Sequence, residues 1–270
     1  MCRLLGVVTE APGTLAHGLA EEIPLFTALS ERHRDGWGVA WSQRGEQVQL
    51  DRSTETALRS GEYARAVDGA RGDAFLVHLR RASPGLPLEL RNTHPFLRRG
   101  LAFAHNGEFD VLPAVRDAIL ARGGPEPEGT TDSELLFSLV LALAEEQGIE
   151  PGADGSQWAR ILQEACAELT GLLARAGGRP AEALNLLLLT PAALVAFTRW
   201  DPPLAARHGR GDDMYALRVQ QRLGRVVISS SGYDLPGARS LPQGAAVWVD
   251  RETLAVGELP PRYPSWSAGR

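Results

Sequence analysis

Cysteine is scarce in this chain. Cys2 and Cys166 are the only two among 270 residues, too few for a disulfide framework. No apolar run approaches the length of a membrane span, so no membrane association is expected. The amino-terminal stretch MCRLLGVVTEAPG lacks the apolar core and cleavage site of a signal peptide, and a cytoplasmic location is the expectation. Positive charge is not in excess. Lys and Arg total 28 against 33 Asp and Glu, a formal net charge of -5, and the arginines are scattered. That argues against nucleic acid as a partner. Repeats and long low-complexity segments are absent. The tetrad Asp35-Gly-Trp-Gly38 lacks the G-x-G-x-x-G spacing of a phosphate loop. His78, His94 and His105 lack the compact spacing of a zinc site and have no cysteine pair to help them. No metal is expected, and nothing calls for an organic cofactor.

What remains is an ordinary globular composition, 44% hydrophobic and 23% charged. One domain is expected over residues 1–259, followed by a surface tail over 260–270. Short apolar runs bounded by turns predict strands at 4–9, 36–42, 74–79 and 101–104. Helices are expected in parts of 15–30 and 54–67, and over 113–122. Two stronger helices follow. Ser133–Gln147 carries Leu135, Leu136, Leu139, Val140 and Leu143 on one side and stops at Gly148; Ser156–Ala176 stops at Gly177 and Gly178. Cys166 falls on the apolar face of the second and reads as a small buried hydrophobe. Strands return at 184–190, 194–199, 215–220, 225–230 and 245–250. Two strand blocks around two central helices predict a layered domain in which each block supplies a sheet.

Cys2 is the most informative residue. Removal of Met1 would leave a thiol and a free α-amine on one residue, and that amine has an ordinary pKa near ~8. A nucleophile activated by its own chain terminus is a known solution to amide attack. Four short segments place polar groups beside strand ends or turns: His78–Ser83 (HLRRAS), Asn92–Phe96 (NTHPF), Ala104–Phe109 (AHNGEF) and Gly129–Glu134 (GTTDSE). Attack on a carboxamide builds charge on oxygen, and the Asn106 amide with the Gly107 N–H could supply donors to it. Asn-Gly is also the strongest short hairpin signal, so a plain turn is expected there too. Arg80 follows an apolar run and suits a carboxylate through its fork, or it is a solvated edge arginine. Asp132 suits an ammonium, or it belongs to a helix start, because Thr131-Asp-Ser-Glu134 is a capping-box pattern.

The order Cys2, H-x-R-x-x-S, N-x-H-P-F, H-N-G and T-D-S-E resembles the class II glutamine amidotransferases, which are N-terminal nucleophile hydrolases. The anchored match runs from Cys2 to about Phe137. MCRLLG and DGWG look most like a stand-alone bacterial subgroup related to the ergothioneine-pathway γ-glutamyl hydrolase. The resemblance implies an α+β fold, a four-layer αββα sandwich. It implies Cys2 as nucleophile with its own α-amine as base, and Asn106 and Gly107 as the oxyanion hole. Arg80 would hold the substrate α-carboxylate with Ser83 and His94 nearby, and Asp132 would hold the α-ammonium. Arg81 stands where the family often has an aromatic residue, Ser83 where threonine is usual, and Pro84 where some relatives have histidine. These positions shape the pocket.

The expected activity is hydrolysis of glutamine or another γ-glutamyl amide through a Cys2 thioester, releasing glutamate and ammonia or an amine. Ammonia would pass to a separate acceptor protein, or the enzyme is a simple hydrolase acting on a larger amide. The rival readings are a non-catalytic amino-acid-binding or interaction protein on the same fold, and a metal-dependent hydrolase.

Overall fold

The apolar run behind Cys2 is the start of a central strand. The computed structural model describes residues 2–83, 85–201 and 215–262. The chain runs β1 (Arg3–Thr14), α1 (Leu15–Gly18), α2 (Glu22–Ala28), β2 (Trp37–Ser42), β3 (Gln49–Ser53), α3 (Gly61–Gly69), β4 (Arg71–Leu79), β5 (Phe96–Arg98) and β6 (Leu101–Glu108). It continues through α4 (Pro113–Ala121), α5 (Asp132–Glu146), α6 (Gly155–Arg175), β7 (Ala183–Leu189), β8 (Ala193–Phe197), β9 (Leu217–Arg222), β10 (Arg225–Ser230), β11 (Arg239–Ser240), β12 (Ala246–Asp250) and β13 (Val256–Leu259).

Two antiparallel sheets stack face to face. The first has the order β11-β9-β10-β1-β4-β2-β3 and the second β13-β12-β8-β7-β6-β5. Strand alternation sorts the side chains into layers. Leu4 and Val8 of β1, Ala74 and Leu76 of β4, and Ala102 and Ala104 of β6 meet between the sheets. Leu5, Val7, Phe75 and Val77 point the other way, under α1–α3. Phe103, Leu186 and Leu188 pack under α4–α6. This is the four-layer αββα sandwich implied by the resemblance.

Several elements differ from the sequence reading. The two strand blocks do not each make a sheet: β1–β4 join β9–β11, and β5 and β6 join β7, β8, β12 and β13. β6 does not end at Ala104. It continues to Glu108, with Asn106 opposite Asn185 and Gly107 opposite Leu184, so Asn-Gly here is strand and not a turn. The four edge or short strands β3, β5, β11 and β13 had no periodic signal. Helix α5 is buried from Ser133 through Ala144 rather than on one side, because α4 and α6 flank it. Cys166 is fully buried on α6, and burial pushes its thiol pKa far up. Of the expected tail, the Pro260 carbonyl accepts from Gln163 Nε2 at 3.0 Å; residues 263–270 lie outside the described residues, as does Met1.

Candidate active site

Strand register brings the candidate residues to one end of the inter-sheet layer. Arg3 pairs with Leu79 in the first sheet, so Cys2 and Arg80 lie one step beyond that pair. Leu4 and Cys2 share a face, as do Leu76, His78 and Arg80, and Ala102, Ala104 and Asn106. Each apolar row between the sheets therefore ends in a polar residue at the same edge. The Cys2 backbone nitrogen donates to Asn106 Oδ1 at 3.0 Å. Asn106 is fully buried, and its Nδ2 has no partner. The Arg81 backbone N–H donates to Cys2 Sγ at 3.4 Å. β1 is held from behind: Ser230 Oγ accepts from the Leu4 N–H at 3.0 Å.

Cys2 is half-buried. Burial pushes its thiol pKa up; the Arg81 N–H and the Arg80 charge pull it down, and the Asp132 carboxylate pushes it up. The sulfur thus sits within the fields of both charges that the resemblance assigns to substrate ends.

Arg80 is 2% exposed. Its guanidinium donates to two carbonyls, Asp35 at 3.5 Å and Pro87 at 3.2 Å. Burial lowers its pKa, while Cys2 and Asp35 raise it. No carboxylate forks onto Arg80 among the described residues. The Asp35-Gly-Trp-Gly38 tetrad explains how this segment is held. Asp35 Oδ2 accepts from the Ala82 N–H at 2.9 Å, and the Gly36 carbonyl accepts from the Arg80 N–H at 2.8 Å. Gly38 makes room for the His94–Pro95 backbone, with which any Cβ would collide. Asp35 was not a sequence candidate; its place in the tetrad was the available signal.

Asp132 is the first residue of α5. Thr131 caps the helix, its Oγ1 accepting from the Glu134 N–H at 3.2 Å. The Glu134 carboxylate does not complete the capping box. It turns to the Gly129 N–H at 2.7 Å and the Glu128 N–H at 2.9 Å. Asp132 accepts from the Phe109 N–H at 3.1 Å through Oδ2 and from the Ser133 N–H at 2.8 Å through Oδ1. Burial pushes its pKa up against the pull of His105 and these donors. Two backbone bonds fix the carboxylate while it keeps capacity to accept more.

Ser83 Oγ donates to Glu108 Oε2 at 3.1 Å, joining the Arg80 segment to the end of β6. Glu108 was another residue missed, since nothing separates it in sequence from a surface acid. His94 is buried; its ring packs at a tilt against His78 at 4.3 Å and Phe96 at 4.5 Å between centroids. Neither ring nitrogen of His94 or of His78 has a partner. Burial first, then nearby positive groups including Arg80, holds both pKa values well below the ordinary range. His94 lies behind the cleft rather than on its surface. Gly107 faces the helix side of β6, where a Cβ would collide with the Ala183 carbonyl and the His105 ring. His105 shares that side, so the three histidines do not converge, and no group of three His, Cys, Asp or Glu suited to a metal occurs among the described residues. Among those residues no helix is long and apolar enough to cross a membrane.

Cys2, Arg80, Asn106 and Asp132 thus converge, with a buried unpaired amide donor and an under-used guanidinium beside one sulfur. A sequence profile described as class-II glutamine amidotransferases matches residues 1–205. An uncharacterized protein of Methanocaldococcus jannaschii is 32% identical over 163 residues, covering 57% of this chain and 42% of that relative. The γ-glutamyl-hercynylcysteine sulfoxide hydrolase of Mycobacterium tuberculosis is 27% identical over 232 residues, covering 85% of this chain and 76% of its own. The chain therefore spans less than half the length of the first relative and about three quarters of the second. A solved glutamine aminotransferase class-II domain protein from Silicibacter pomeroyi shares the fold, with a TM-score of 0.64 at 21% identity, covering 97% of this chain and 100% of that one. The chain belongs to the class II glutamine amidotransferases, enzymes of the N-terminal nucleophile fold.

Proposed function

We propose that this chain hydrolyses the γ-amide of glutamine or a γ-glutamyl compound through a covalent Cys2 thioester. One observation carries the reading: Asn106 accepts from the Cys2 nitrogen through Oδ1 and keeps a buried, unpartnered Nδ2 donor on the same amide. A buried donor left unpaired costs about 1–3 kcal/mol, and an oxyanion arriving beside Cys2 would remove that cost in the transition state.

With Met1 removed, the Cys2 nitrogen becomes an α-amine that keeps its bond to Asn106 Oδ1 and has a lone pair free. The amine takes the Sγ proton, and the sulfur adds to the γ-carbonyl carbon. Asn106 Nδ2 and the Gly107 N–H receive the oxyanion. Collapse breaks the C–N bond, and the α-ammonium returns its proton to the leaving nitrogen. Water then adds to the thioester, losing a proton to the amine, and glutamate leaves as the thiol is restored. Arg80 binds the substrate α-carboxylate as a fork, and Asp132 binds the α-ammonium. Ser83 closes that pocket through Glu108, and His94 backs the wall beneath Arg80. The two sheets share one core built from both halves of the chain, which supports a single domain over 1–259.

Two fates are open to the leaving group, ammonia passed to a separate acceptor protein or an amine released to water. The mycobacterial hydrolase, matched over most of both chains, favours the second, with a larger γ-glutamyl amide as substrate. An electrophilic glutamine analogue tests the mechanism: peptide mass spectrometry of the processed protein should place the label on Cys2, and a label elsewhere overturns it. A panel of γ-glutamyl amides tests the substrate. Turnover of bulky amides far above glutamine supports the hydrolase version, and the reverse supports amidotransfer.

A further inference from the structure

His105 and Ser133 are buried on the helix side of β6, and the mechanism above leaves them without a task. His105 Nδ1 lies 2.9 Å from Ser133 Oγ, and its Nε2 lies 3.3 Å from the Ala183 carbonyl oxygen. Ser133 Oγ also lies 3.2 Å from Asp132 Oδ1. The ring packs directly beneath Gly107. This chain of bonds links the strand that carries Asn106 and Gly107 to the carboxylate at the head of α5.

Counting hydrogens gives the chain two states. The Ala183 carbonyl offers only lone pairs, so Nε2 carries a hydrogen in both. Ser133 has one hydroxyl hydrogen and two acceptors in reach. With the ring neutral, Nδ1 is an acceptor that competes with Asp132 Oδ1 for that hydrogen, so Asp132 Oδ1 keeps the Ser133 N–H and only a share of the hydroxyl. With the ring protonated, Nδ1–H donates to Ser133 Oγ, and the hydroxyl hydrogen turns to Asp132 Oδ1. One proton on His105 thus delivers one hydrogen bond, and the influence of one positive charge, to Asp132.

We propose that Ser133 is a positioning residue that ties the hold of Asp132 on the substrate α-ammonium to the protonation of His105. The proposal rests on the reading that Asp132 binds that ammonium. Burial lowers the His105 pKa, while Asp132, the Ala183 carbonyl and Glu108 raise it. His78 and His94, from β4 and the segment before β5, feel its charge as well. The neutral state therefore prevails at neutral pH. Acid moves the hydroxyl hydrogen onto Asp132 and weakens the grip on a competing ammonium.

The test compares two competitive inhibitors that differ only in the α-ammonium, L-glutamate and glutarate, from about pH 8 down through the acid limb of His105, each constant expressed for the inhibitor with both carboxylates ionised. In the wild type the glutamate inhibition constant should rise about tenfold on the acid side, the scale of one charge-assisted bond, while the glutarate constant stays flat. Ser133→Ala should flatten the glutamate profile, and Ser133→Thr, which keeps the hydroxyl, should restore it. A Ser133→Ala profile that keeps the wild-type rise overturns the proposal. So does a wild-type glutarate constant that moves in parallel with glutamate, which needs no variant to fold. Wild-type protein that turns over no γ-glutamyl amide instead defeats the parent reading, before any variant is compared.

Discussion

Two buried arginines close the inter-sheet layer at opposite ends of β4, and their surroundings differ sharply. Arg251, 1% exposed, donates to both oxygens of Asp73 at 3.2 and 2.8 Å, to Ser42 through its hydroxyl and its carbonyl at 2.9 Å each, and to the Thr190 and Pro191 carbonyls at 3.1 and 3.2 Å. Arg80, as deeply buried, meets two carbonyls at 3.2 and 3.5 Å and no side-chain carboxylate among the described residues. A buried charge is tolerated when its bonds are made and costly when they are not. The satisfied end of the sandwich ties two sheets together. The Arg80 end leaves donors over, which the proposed substrate carboxylate would take. Asn106 Nδ2 and the ring nitrogens of His78 and His94 are unpartnered at the Arg80 end, as are buried polar atoms elsewhere, on Trp158, Gln163 and Gln220 among others.

The largest expected effect breaks chemistry and spares structure. Cys2→Ala should reduce amide hydrolysis to background, because no other thiol is near: Cys166 is buried within α6. Its melting temperature should match the wild type. Residual turnover measured as glutamate release would move the nucleophile elsewhere.

The reverse experiment belongs at the other end. Arg251→Ala leaves the Asp73 carboxylate, 0% exposed, without its main partner, and should destabilise the fold by about 3–5 kcal/mol. Urea unfolding reads that loss. The kcat/KM of the folded fraction should hold. A large fall in kcat/KM with stability intact would mean that the two ends are coupled and that the comparison fails.

Sequence alone made the Arg80 end readable and left the Arg251 end dark. Cys2, Arg80, Asn106 and Asp132 each close a short local signal: a chain start, the end of an apolar run, a small-residue pair, a helix cap. Their order along the chain carried the resemblance. Arg251 and Asp73 stand 178 residues apart, and each alone is an ordinary surface-type residue. Asn106-Gly107 was legible as polar and glycine-bearing but not as strand. Its glycine is required by the Ala183 backbone, a contact that the β6–β7 pairing creates, and by the His105 ring two residues back on the same face of β6. The assignment of strand blocks to sheets failed for a related reason, since local pattern sets a strand and its face but not its neighbour.

A smaller change probes how Arg80 uses its spare capacity. Arg80→Lys keeps the charge and removes the fork. KM for the glutamyl substrate should rise about tenfold or more, with a smaller change in kcat. Steady-state kinetics at saturating and limiting substrate separate the two. Equal KM values would leave Arg80 as a buried tie between the Asp35 and Pro87 carbonyls, a weaker copy of Arg251.

The smallest effect is a slope. His78 and His94 are held neutral, their pKa values well below the ordinary range because burial and nearby positive groups oppose charge. The unfolded chain binds protons at both once pH falls below about 6.5, and the folded chain does not. Stability is therefore lost as pH drops from there toward the folded-state values. Each ring contributes up to about 1.4 kcal/mol per pH unit within that window. His94→Gln removes one of the two titrations, so its acid-side stability profile should be shallower than wild type by about that amount, whatever the change at neutral pH. Urea melts through the window give the two slopes. Parallel profiles would mean that His94 is protonated as readily folded as unfolded, and the Arg80 end would then hold a compensated charge like its counterpart at Arg251.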